Sequence, residues 1–258
     1  MDITLTGRKA LITGGSKGLG LAIARTFAAA GADVAIMARR EGPLHDAVAT
    51  IGVRPGQQVL PVAGDVRHTA DIAAGFALVT QALGHVDILV NNAGTSNAHP
   101  FETVTDAQWQ EDLDLKLFAA IRLIRLAWPQ MKERKWGRII NVLNIGAKAP
   151  RPASAPTSVT RAAGMALTKV LAGEGAPHGI LVNALLVGFI ESDQWVQRAA
   201  KLGVPLTDFL AKMGKEIPMG RVGSAQEFAN VACFMASDAA SYITGTAINV
   251  DGDRSPVV

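Results

Sequence analysis

The 258-residue chain has one cysteine, Cys233, one tyrosine, Tyr242, and only 5% aromatic residues. A single cysteine excludes an internal disulfide or a thiolate cluster. Cys233 shares an apolar helical pattern with Phe228, Val231, Ala232 and Met235, so it reads as a core thiol. The five histidines are scattered and show no metal-ligand spacing, so no metal site is expected. Long apolar runs are also missing. The longest uncharged apolar stretch, Gly179 to Ile190, falls short of the roughly 20 residues of a bilayer crossing and reads as a buried strand with its exit loop. The segment from Met1 to Lys9 shows neither a basic cluster before a hydrophobic run nor a small-residue cleavage site, so a cytoplasmic enzyme is expected. Charge of either sign is in short supply, with 25 basic against 22 acidic side chains. The surplus is spread out rather than striped, which argues against nucleic acid or a membrane as partner and for a small molecule, an anionic one included.

Hydrophobic residues make up 49% of the chain, enough for a large core. Short β-branched runs at 10–13, 34–37, 59–62, 86–90, 138–142, 180–183 and 247–250 alternate with Ala/Leu-rich segments. Helices are predicted over 18–30, 42–51, 69–83, 106–134, 156–176, 193–213 and 224–236. Seven strands separated by helices imply an α/β fold, a parallel sheet covered on both faces. No repeat or linker divides the chain, so 1–258 reads as a single domain, with 188–218 as the substrate loop.

The first strand is followed by Thr13-Gly14-Gly15-Ser16-Lys17-Gly18-Leu19-Gly20 and an Ala-rich helix. Strand, glycine loop and helix in that order suit a dinucleotide: Gly14 for the tight turn, Gly18 for backbone close to a pyrophosphate, Gly20 for helix–strand packing. At the end of the second strand, where NAD-selective folds place a carboxylate, stand Ala38, Arg39 and Arg40. Cationic donors without an opposing carboxylate suit a 2′-phosphate, so NADP(H) is favoured over NAD(H), with Arg39 and Lys17 as the donors.

The Gly-x-x-x-Gly-x-Gly spacing resembles the classical short-chain dehydrogenase/reductase family, a single-domain, doubly wound, Rossmann-like fold. Further similarities run along the chain: Asp65-Val66, Asn91-Asn92-Ala93-Gly94, Val182-Asn183-Ala184, Gly188-Phe189-Ile190-Glu191-Ser192 and Val250-Asp251-Gly252. The resemblance implies that Gly14, Ser16, Lys17, Gly18, Leu19, Gly20, Arg39, Asp65, Val66, Asn91, Ala93, Gly94, Arg161 and Ser192 contact the cofactor. It also implies a homodimer or homotetramer, for which Ala162, Ala163, Gly164 and Ala166 are read as a small-residue packing surface.

The family's Asn, Ser, Tyr and Lys positions fall here on Lys116, Asn144, Thr157 and Arg161. A threonine hydroxyl is far too weak an acid to replace a phenol, and a guanidinium does not shuttle protons. These four residues are nonetheless the candidate catalytic set. At about 100° per residue, Lys116 lies on the apolar stripe of its helix, opposite Glu111, Asp114, Arg122 and Arg125, and should point inward with Asp112 one turn earlier as partner. It either fills space beneath the cofactor or takes part in the chemistry. His99, Lys148, Arg151, Ser154, Ser158, Glu191 and Asp193 are further polar candidates at the substrate mouth.

Three readings follow. The first is an NADP(H)-dependent oxidoreductase with a non-standard site. The second is a non-redox lyase, hydrolase or dehalogenase on the same scaffold. The third is a catalytically silent subunit in a hetero-oligomer with a related active chain.

Overall fold

In the computed structural model, which describes residues 3–258 apart from the side chains of Asp193 and Gln194, strand and helix alternate from the start. The first half holds β1 (Lys9–Thr13), α1 (Gly18–Ala29), β2 (Asp33–Ala38), α2 (Glu41–Ala49), β3 (Val59–Ala63), α3 (Thr69–Leu83) and β4 (Ile88–Asn91). The second holds β5 (Ala98–His99), α4 (Asp106–Leu113), α5 (Ala119–Arg134), β6 (Gly137–Asn144), β7 (Ala155–Pro156) and α6 (Thr157–Gly175). It continues through β8 (Ile180–Val187), α7 (Asp193–Lys201), α8 (Leu206–Gly214), α9 (Ala225–Ala236) and β9 (Ala247–Val250). Among the described residues, seven strands form one sheet in the order β3-β2-β1-β4-β6-β8-β9, every neighbouring pair parallel. This is the α/β, Rossmann-like architecture read from the sequence.

Alternation along β1 shows how the sheet is covered. Ala10 and Ile12 pack on one face with Ile23, Phe27 and Phe228, while Leu11 packs on the other with Val79, Leu123 and Ala127. Successive side chains point to opposite faces, so a strand buried on both sides is apolar over most of its length. Pro61 is tolerated because β3 is an edge strand whose one partner is β2. Cys233 is buried in the core, and burial pushes its thiol up to about 11. No helix among the described residues is long and apolar enough to cross a membrane.

Two local expectations are corrected, and one element was not foreseen. The helix predicted over 106–134 is interrupted by a π turn at Asp114–Phe118, with Lys116 inside it. Uniform 100° spacing cannot register the inserted residue that such a turn accommodates, and π turns recur at functional sites. The helix predicted over 193–213 is two helices, α7 and α8. Between them Gly203 takes a φ of +66°, and Pro205 has no backbone donor to continue the first. Finally, β5 and β7 pair as a two-residue antiparallel ladder over the sheet's carboxyl end, too short for a pattern of period two to reveal.

Candidate active site

The strand order reverses between β1 and β4, and a cleft opens there across the carboxyl ends of the strands, as expected at such a switch point. Its volume is about 640 Å³. Loops after β1, β2, β3, β4, β6 and β8 all contribute walls. The glycine loop is shaped by contact. Gly14 has a φ of +67°, and a Cβ there would lie 2.9 Å from Asn92 Nδ2. A Cβ on Gly20 would lie 2.6 Å from the same nitrogen and closer still to the Gly14 carbonyl oxygen. Asn92 ties the two loops by donating to the carbonyls of Thr13 at 2.8 Å and Gly14 at 3.3 Å. The Thr13 hydroxyl accepts from the backbone N–H groups of Asn92 and Ala93, both at 3.0 Å. The loop is thereby held with the N-terminus of α1 facing the cleft, where backbone donors and the helix dipole favour phosphate.

Charge at the adenosine end is arranged to leave Arg39 facing the cleft. Asp65 lines the wall, but its carboxylate is taken by Arg67, from Nη2 at 2.6 Å and from Nε at 3.1 Å to each oxygen. These bonds hold Asp65 below the usual carboxylate range, the Arg67 side chain being the largest cause. Arg67 also donates to Glu111 at 2.5 Å. Both nearby carboxylates are thus matched by one guanidinium, and Ala38, Arg39 and Arg40 line the cleft beside them. The residues present fit a 2′-phosphorylated dinucleotide.

Beneath the opposite end lies a buried polar network. Lys116, its side chain 1% exposed, donates from Nζ to Asp112 Oδ1 and, at 2.7 Å, to Thr157 Oγ1. Asp112 also accepts from Thr160 Oγ1 at 2.6 Å. Desolvation, then the neighbouring Arg161 charge, pulls the Lys116 ammonium down to about 8, with Asp112 opposing. Arg161 is brought down to about 10 by burial. It donates from Nη1 to the Val142 carbonyl, and its Nε finds no partner among the described residues. Asn144 Oδ1 is likewise buried without a partner there. Thr157, Arg161 and Asn144 all line the cleft.

Comparison with known proteins agrees with this geometry. The family profile described as enoyl-(acyl carrier protein) reductase matches residues 14–252. The 3-oxoacyl-acyl-carrier-protein reductase of Aquifex aeolicus is 34% identical over 98% of this chain and 99% of its own. The acetoacetyl-CoA reductase of Rhizobium meliloti is 37% identical over 96% and 98%. The chain belongs to the short-chain dehydrogenase/reductase family. A crystal structure of the L-sorbose reductase of Gluconobacter frateurii, complexed with NADPH and L-sorbose, superposes with a TM-score of 0.96 at 36% identity, each chain covered in full. The named reductases among these short-chain dehydrogenase/reductase relatives leave the non-redox alternative without support.

Of the cofactor residues the family resemblance implied, all but Asn91 line the cleft. Asn91 sits below its floor, donating to Asn141 Oδ1 at 2.9 Å, because its side chain points into the sheet centre. Of the candidate catalytic set, Lys116 reaches the cleft only through Thr157. Among the mouth candidates, Arg151, Ser154 and Ser158 line the cleft. His99 is an exposed rim residue hydrogen-bonded to Asn97. Lys148 is drawn away to the Ala247 carbonyl at 2.7 Å, and Glu191 lines a separate depression. The Asp193 side chain lies outside the described residues. Gly164 is not on the surface but packs inward, where a Cβ would meet Leu143 at 3.0 Å. Tyr242 is fully exposed and is not among the residues lining the cleft. Thr160, Arg67 and Arg254 were missed. Thr160 lies one turn beyond Thr157 on the same helix face and Arg67 two residues beyond Asp65, signals within reach; Arg254 meets Phe189 and Glu216 across chain separations that local pattern does not register.

Proposed function

We propose that this chain is an NADP(H)-dependent oxidoreductase of small molecules in which Lys116 and Thr157, with Asn144 and Arg161, replace the family's Asn-Ser-Tyr-Lys set. The observation that carries this reading is the 2.7 Å contact from buried Lys116 Nζ to Thr157 Oγ1, a hydroxyl lining the cleft. Bound NADPH would supply hydride, held by the glycine loop, Arg39 and Arg161. Thr157 is too weak an acid to serve alone, but it accepts from Lys116 and keeps its own O–H free to donate. It passes that proton to the substrate atom gaining negative charge and takes one from Lys116, leaving a neutral amine beside Asp112. An ammonium near 8 matches this task at neutral pH, whereas an unperturbed lysine would hold its proton too firmly. Asn144, which lines the cleft, would orient the acceptor through the N–H donors of its amide. The silent-subunit reading has no specific observation in its favour.

Two results test this. Thr157→Val should lower kcat about 100-fold or more toward a panel of oxo acids, imines and conjugated enones, with Thr157→Ser retaining most activity and the NADPH Kd unchanged. The wild-type pH–rate profile should show a group near 8 that is lost in Thr157→Val. Tight NADPH binding with no hydride transfer to any panel member would sink the proposal. For the cofactor, Arg39→Ala should weaken NADPH roughly 10- to 100-fold, the loss of a charged hydrogen bond, and leave NADH nearly untouched. Equal losses for both would reject the 2′-phosphate assignment.

A further inference from the structure

At the substrate end of the cleft stand two guanidinium groups that the proposed reaction leaves unassigned. Arg254, in the tail after β9, lines the cleft with its side chain 10% exposed. Its guanidinium carbon lies 3.6 Å from the centroid of the Phe189 ring, which fixes the plane of the group against the loop after β8. Its Nε has no hydrogen-bond partner among the described residues. Its carboxylate contact, Nη2 to Glu216 Oε2, is long at 3.4 Å and goes to a largely exposed side chain. Asp251, the other carboxylate nearby, is occupied by the backbone N–H groups of Asp253 and Ser255.

Arg151 lines the same cleft from the loop between β6 and β7. It makes no ion pair among the described residues, and its charge is near enough to help burial hold the Arg254 guanidinium below its usual range. Two like charges at one wall, one of them nearly buried and matched only by the long Glu216 contact and by Asp251, would be relieved by a further negative group. A planar oxyanion would meet the fork geometry of arginine, and the orphaned Nε supplies a donor already desolvated.

We propose that Arg151 and Arg254 form an oxyanion subsite that takes a carboxylate or phosphate group carried by the substrate. Resting on the reductase reading of the cleft, this narrows the acceptor to compounds bearing such a group near the reducible bond. It also gives the tail after β9 a role in substrate choice.

Calorimetric titration of the full-length protein, with and without NADPH, tests it with malonate and inorganic phosphate as probes. Arg151→Ala and Arg254→Gln should each weaken binding about tenfold or more, Arg254→Lys should fall between, and the NADPH Kd should stay within about twofold. Arg151 is exposed, so its substitution is not expected to endanger folding. Tighter binding of malonate assigns a carboxylate; tighter binding of phosphate assigns a phosphate. The subsite is overturned if neither probe binds, if both substitutions leave the affinities unchanged, or if Arg39→Ala alone abolishes binding. Absence of NADPH binding would instead sink the reductase reading, while the malonate and phosphate titrations would still decide the subsite.

Discussion

Gly20→Ala is expected to abolish nucleotide binding and to cost about 2 kcal/mol or more of stability, the range of an overpacked interior site. The added methyl would lie 2.6 Å from Asn92 Nδ2 and closer still to the Gly14 carbonyl oxygen. Neither is the tip of a flexible side chain: Asn92 is tied to the Thr13 and Gly14 carbonyls, and the carbonyl belongs to the loop itself. Relief requires α1 to move away from the loop whose N–H groups face the phosphates. Fluorescence titration with NADPH and urea unfolding would measure both effects. Gly42→Ala is the control, since its Cβ would meet open space in α2 and should be neutral or stabilising. NADPH affinity within about threefold of wild type in Gly20→Ala would refute this account of the loop.

Asp112→Asn should destabilise the fold by about 3–5 kcal/mol, the usual cost of stripping a buried ion of its partner. Asp112 is the acceptor for both Lys116 Nζ and Thr160 Oγ1. Without it, Lys116 keeps its desolvation and its repulsion from Arg161 but loses the opposing carboxylate, so its pKa falls below about 8. Loss of the proton near neutral pH then caps the penalty. The double variant Asp112→Asn with Lys116→Met should recover much of the loss, because no buried charge is left unpaired; failure to recover would show that Thr160, not Lys116, is the partner that matters.

The same group gives a pH signature. A lysine with a lowered native pKa binds fewer protons in the folded than in the unfolded state between about 8 and the usual 10.5. Stability therefore rises with pH across that window and is flat below it, for a total of roughly 3 kcal/mol. The Cys233 thiol, raised to about 11, works in the opposite direction above its usual 9. Comparison with Lys116→Met cancels that contribution, and the difference between the two proteins should carry the lysine window alone. A difference independent of pH would show that Lys116 is not desolvated as its surroundings imply.

Legibility differed from one part of the chain to another. The alternation of short apolar runs and Ala-rich helices marked every strand of the main sheet, because burial on both faces leaves few polar positions, such as Asn141 and Asn183, to blur the pattern. Lys116 was legible as an inward lysine with Asp112 beneath it, since both lie on one apolar stripe. That it touches Thr157 was not: the contact spans 41 residues and joins the π turn to α6. Arg254 was invisible for the same reason. Nothing in its local sequence marks a tail residue that stacks on Phe189 and shares a cleft with Arg151.

The order of residues by itself determined the doubly wound sheet, the glycine loop with its cationic neighbours, and a helix over 157–175 that holds no tyrosine, because each is encoded in spacing within one element or one turn. Only the tertiary structure decided that Lys116 lies behind Thr157 rather than in the cleft, that Lys148 and Glu191 turn away from it, and that Arg151 and Arg254, 103 positions apart, line the same cleft. Those outcomes depend on which loops converge above the carboxyl ends of the strands, and convergence is a property of packed elements that no local pattern carries.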